Sequence, residues 1–100
     1  MKDYILLMHS DAIDDVSAHD DVKWSEYITM LRKSGRFDGG SSIGTGECIR
    51  KNAAVTAATN DLTGYVRVQA TSLDDAKRFL VGNPVYEAGG TVDIRELPRT

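Results

Sequence analysis

The chain has 100 residues, of which 41% are hydrophobic and 27% charged, with a formal net charge of −3. That is the size of one domain and the composition of an ordinary soluble globular chain. No apolar run approaches the roughly 20 residues a membrane helix needs. No basic stripe interleaved with aromatics is present, so neither a membrane nor nucleic acid is an expected partner.

The opening segment MKDYILLMHSD carries Asp3 and Asp11 around a short apolar run and has no small-residue cleavage site, which argues against a secretory leader. Tyr4 to His9 reads as a buried central strand. Residues 1–26 hold seven acids against Lys2 and Lys23, so the negative charge is concentrated at the front of the chain. The segment Asp11 to Asp21 is expected to be a solvated loop leading into a helix, with Ser17 or Asp20 as the cap. Trp24, Tyr27, Ile28 and Leu31 keep helical spacing, and Gly35 stands where a helix-terminating glycine belongs.

A second strand is expected from Arg36 or Phe37 into Gly39-Gly40-Ser41-Ser42. FDGGSSIGTG resembles a phosphate loop only in composition, because no GxxxxGK[ST] follows. Glycine inside a strand pattern marks a bulge or a close backbone approach instead, and no cofactor is expected. Glu47 to Arg50 and Ala53 to Ala58 read as two arms of a hairpin around Lys51-Asn52, and Asn60-Asp61 as a further turn. Cys48 is the only cysteine, so no disulfide closes within the chain, as suits a reducing cytoplasm. Alone in a strand, it is expected to be a small buried hydrophobe.

The stretch from Leu62 to Leu97 organises the rest. Leu62, Val66, Val68 and Ala70 alternate with Thr63, Tyr65, Arg67 and Gln69 at the strand period of two. Ser72 then caps a helix whose residues Leu73, Ala76, Phe79 and Leu80 share a face. Gly82, Asn83-Pro84 and Gly89-Gly90 bound the link to a last strand, in which Val92 and Ile94 alternate with Asp93 and Arg95 before Pro98. Strands joined in this way run parallel to one another. The whole reads as a single α+β domain over residues 1–100, β-α-β, a hairpin arm, then β-α-β, with an antiparallel sheet and two helices on one face.

KDYILLMH at the start, FDGG after the first helix, LTGYVRVQATSLDDA and the ending GGTVDIRELP together resemble the YCII-related family, including its DGPF-like branch. The resemblance spans nearly the whole chain. It implies a ferredoxin-like sheet that pairs into a dimeric α/β barrel, and it implies little about activity. Trp24 stands where members of the family often carry a histidine, and Asn83 where an acid often precedes the proline. The DGPF tetrapeptide is absent, with Thr59-Asn60-Asp61 in that neighbourhood. A His–Asp acid–base pair therefore does not carry over.

His9 and His19 are the only histidines, and neither has a motif neighbour that makes it a general base. His19 with Asp20 and Asp21 lacks a second set of ligands at metal-binding spacing, so no metal is expected. Alternation turns Tyr65, Arg67, Gln69, Asp93 and Arg95 away from the helices. Enclosed in a dimeric barrel, such arginines must meet a partner or a polar ligand. Tyr65, Arg67 and Arg95, with His9 or Ser41 at the edge, are the candidate binding residues for a small anion. Pairing of the arginines with Asp93 or Glu47 is the structural alternative. The function expected is a homodimeric small-ligand-binding α+β barrel without assigned catalysis. The alternative is a lyase- or isomerase-like enzyme acting on a small carboxylated compound through His9 and an arginine anchor.

Overall fold

The computed structural model describes residues 1–57 and 61–99. Strand β1 (Lys2–His9) is followed by α1 (Asp15–Ala18), α2 (Asp21–Ser34) and β2 (Phe37–Ser42). Next come β3 (Glu47–Cys48), β4 (Thr56–Ala57), β5 (Leu62–Ala70) and α3 (Leu73–Ala76). A 3-10 turn (Lys77–Leu80), α4 (Pro84–Glu87) and β6 (Val92–Leu97) complete the chain. The main sheet has the order β2-β5-β1-β6 with every neighbouring pair antiparallel. Thus β5 and β6 run parallel to each other with β1 between them, an arrangement compatible with a ferredoxin-like α+β fold.

The apolar period of β1 and β5 explains the core. Tyr4, Leu6 and Met8 alternate with partly exposed neighbours, and Val66, Val68 and Ala70 do the same one strand over. These six side chains bury against Tyr27 and Leu31 of α2, Ala76 and Phe79 of the second helical segment, and Val85 of α4. Every helix residue in that cluster lies on this one side of the sheet. The thinnest dimension, 19 Å, matches one sheet under one helical layer at roughly 10 Å each.

Helix α2 behaves as its end signals demand. Asp20 caps it, accepting the N–H groups of Val22 at 2.9 Å and Lys23 at 3.1 Å. Gly35 ends it in the left-handed region at φ 72°. The segment before it is more than a loop, because Asp14 accepts both the N–H and the hydroxyl of Ser17 and so starts the extra turn α1. The glycine pair in β2 makes both a bulge and a close approach. The β2–β5 register slips between Phe37 and Gly40, and Gly39 adopts φ 97°.

Three expectations are corrected. The second helix is α3 followed directly by a 3-10 turn, the link after it holds the further short helix α4, and Leu73 is exposed rather than core-facing. Gly82 turns the chain at φ 83°, and Asn83 starts a new helix by accepting the N–H groups of Val85 and Tyr86, with Pro84 in the first turn. The hairpin is formed over only two residues per strand, in the register Glu47↔Ala57 and Cys48↔Thr56. Its expected end at Ala58 and the following Asn60 lie outside the described residues. Cys48 is exposed, since neither face of this ribbon lies on the core.

Candidate functional site

Register on the side of the sheet opposite the helices determines which polar side chains become neighbours. Ser41 lies opposite Tyr65, Tyr65 opposite Leu7, and Leu7 opposite Asp93. In the next row Arg67 and Arg95 both lie opposite Ile5, one on each side of β1. All five sequence-predicted residues therefore belong to this open face, with His9 at the end of β1. Strand spacing of about 4.8 Å puts one strand's width on each side of Ile5 between the two arginine backbones.

The pairing within the face is uneven. Arg95 reaches Asp93 Oδ2 with Nη2 at 3.8 Å, and its side chain is largely exposed. His9 Nε2 stands 3.4 Å from the same carboxylate oxygen. That nitrogen is shielded from solvent and makes no hydrogen bond there, so the two side chains are in contact without hydrogen-bond alignment. Arg67 lies over Gly39, where an added Cβ would come within 3.3 Å of its Nη2. Among the described residues no carboxylate is within ion-pair distance of Arg67. Ser41 donates its hydroxyl to the Ser42 carbonyl at 2.9 Å, a local bond. Glu47, the other carboxylate considered for the arginines, lies in the ribbon rather than on this face.

A cavity of about 480 Å³ opens between α2 and the β2–β5 edge of the sheet. Trp24, Ile28 and Arg32 line it from the helix, Phe37 and Ser41 from β2, and Tyr65 from β5. Its size and mixed apolar and polar wall are those of a small-molecule pocket. Trp24 is held in place by donating Nε1–H to the Ala18 carbonyl at 2.7 Å and by an edge-on contact with Tyr27. The Arg32 guanidinium stands 6.0 Å from the Phe37 ring centroid. Sequence reasoning assigned Trp24 and Ile28 to the helix without seeing a cavity and did not single out Arg32. The signal was present: the three residues repeat at intervals of four, which puts them on one helix face.

Of the five open-face residues, Ser41 and Tyr65 also border this cavity, and His9, Arg67 and Arg95 do not. Beneath the helices, Tyr27 donates its hydroxyl to the Phe79 carbonyl at 2.6 Å. Burial pushes that phenol up to about 12, with the Asn83 side chain acting in the opposite direction. Tyr27 is therefore neutral and structural at ordinary pH.

His19 turns its Nδ1 to Asp15, and Asp20 is engaged in capping α2. Among the described residues no three His, Cys, Asp or Glu side chains converge as a metal cluster. No helix among them is long and apolar enough to cross a membrane. No family model matches the chain, and no curated protein matches it significantly.

Proposed function

We propose that this chain acts as a homodimeric small-ligand-binding α+β barrel of the YCII-related, DGPF-like type, without assigned catalysis. One observation carries the reading. The uncovered sheet face has an apolar centre in Ile5 and Leu7, half-buried Tyr65 beside it, and two guanidinium groups in register with Ile5. A partly apolar face of that kind favours a cover, and a second copy laid on it encloses Arg67 and Arg95. An enclosed guanidinium without a carboxylate needs an anion, and of the two arginines Arg67 is the one with no carboxylate partner among the described residues. The ligand class is a small carboxylate or phosphate, which an arginine fork holds bidentately.

Light scattering at low micromolar concentration tests the assembly. Twice the chain mass of 10.9 kDa is expected, and a species of one chain mass would sink the proposal. Titration with benzoate and with inorganic phosphate, followed by backbone amide shifts, tests the site. Shifts on β1, β5 and β6 that vanish in Arg67→Ala support it, and shifts unaffected by that change remove Arg67 from it.

His9 favours a second reading, a lyase- or isomerase-like enzyme. Its imidazole lies against Asp93 on the same face as both arginines, the sort of setting in which a histidine moves protons. Such an enzyme would exchange α-protons of small carboxylates with solvent deuterium, and His9→Ala would abolish the exchange. No exchange by the native chain across a panel of such acids leaves the binding reading alone.

A further inference from the structure

We propose that the β3–β4 ribbon is an arm with which one copy of this chain grips a second, its apolar face lying on the α1–α2 shoulder of the partner copy. The inference rests on the homodimer reading and adds to it a specific contact. Residues 41–57 are all exposed, and β3 and β4 pair only with each other. A lone two-stranded ribbon is at best marginally stable in water. This one nevertheless holds Ile49 at 77% exposure and Val55 at 57%. Continuing the observed register one pair beyond Cys48↔Thr56 would set Ile49 opposite Val55, on the face that carries Glu47 and Ala57. Arg50 and Lys51 flank this apolar pair at the turn, which Asn52 makes at φ 61°.

The shoulder has the complementary chemistry. Ile13 is 90% exposed and Val16 82% exposed, and the acids around them are Asp14, Asp15 and Asp21. Asp14, Asp15 and Asp21 on the shoulder, where Lys23 reaches Ser17, are opposite in sign to Arg50 and Lys51 at the ribbon's turn, and opposite charges of that kind set orientation and encounter rate. Reach permits the contact. The ribbon leaves the sheet at the end where Ser10 N–H meets the Asp61 carbonyl, the same end from which the chain runs into α1. Residues 43–49, taken as extended chain, span roughly 24 Å, against roughly 20 Å for the gap between two facing sheets plus the partner's sheet-to-helix layer. Ala18, His19 and Asp21 also line the 480 Å³ cavity, so the docked arm supplies part of its rim. The cavity is then completed by the second copy.

The single cysteine makes this testable, since Cys48 sits in the arm and is exposed. Native chain is mixed with a Val16→Cys/Cys48→Ser chain under mild copper-phenanthroline oxidation, and mixed disulfides are identified by peptide mass spectrometry. The control replaces Val16→Cys with Lys33→Cys, at an exposed position in the last turn of α2. The expected yield at the shoulder is about tenfold above the control, and Arg50→Glu/Lys51→Glu in the native partner lowers it by about tenfold. Equal yields at the two positions overturn the proposal. So does a chain carrying both Cys48 and Val16→Cys that links only within itself. Light scattering on the same samples separates the two ideas: a dimer without the preferred link overturns the arm alone, and a monomer overturns the dimer as well.

Discussion

Asp11, in the loop after β1, accepts the backbone N–H of Thr91 at 2.8 Å and its hydroxyl at 2.5 Å, across 80 positions of sequence. The His9 N–H donates to the Thr91 carbonyl at 3.0 Å, so the end of β1 and the start of β6 are clamped from both sides. These bonds hold the Asp11 carboxyl below its ordinary value of 3.8, the Thr91 hydroxyl contributing most. A carboxyl depressed in the folded state stabilises it above the unfolded-state value, and that contribution is lost as pH falls through the folded-state value. Asp11→Ala is therefore expected to lower Tm at neutral pH, and the gap to the native chain should close between about pH 5 and about pH 2. A gap constant across that range would show that the carboxylate charge is not its source.

Ser72→Ala should destabilise the chain by about 1 kcal/mol. Ser72 Oγ accepts the N–H of Asp75 at 3.1 Å, and the Asp75 carboxylate accepts the Thr71 N–H at 2.9 Å. Removing the hydroxyl leaves the first-turn donor with water alone. Urea unfolding reads the difference, and an unchanged midpoint would contradict the cap.

Tyr27→Phe removes the 2.6 Å bond to the Phe79 carbonyl and leaves a buried acceptor without that donor. The expected loss is about 1–3 kcal/mol in urea unfolding, with the fold retained by circular dichroism. Because the phenol is pushed up to about 12, the native chain should show no tyrosinate absorbance from this residue below that range while folded. Full stability in the Phe variant would mean the bond contributes nothing.

Gly40→Ala tests the close approach of β2 to β5. An added Cβ would stand 2.5 Å from the Tyr65 carbonyl oxygen and 3.0 Å from Val66 Cγ1, so one strand must shift. Overpacking of that kind costs about 1–3 kcal/mol. Gly44→Ala is the control, with nothing within 4 Å of its added Cβ. Equal Tm values for the two variants would refute the contact.

Much of the fold was legible because its signals are local. The period of two in Leu62–Ala70 named the buried side of β5, and Asp20 and Gly35 marked both ends of α2. Ser72 marked the start of α3, but the short helix α4 inside the link after Gly82 was not foreseen, since the capping role of Asn83 depends on a chain reversal. Alternation also put His9, Ser41, Tyr65, Arg67 and Arg95 on one face, without saying which of them would touch.

By itself, then, the sequence determined strand parity, helix ends and the side of the sheet on which each candidate residue lies, since these depend on a residue's immediate neighbours and on backbone geometry. The tertiary structure alone decided that β1 runs between β5 and β6, setting Arg67 and Arg95 on either side of Ile5. It also brought His9 to Asp93 and Trp24 to the cavity over Phe37, and left Cys48 on a ribbon clear of the core. Lateral neighbours are chosen by the burial of whole faces against one another, and a period along one strand carries no information about what lies beside it.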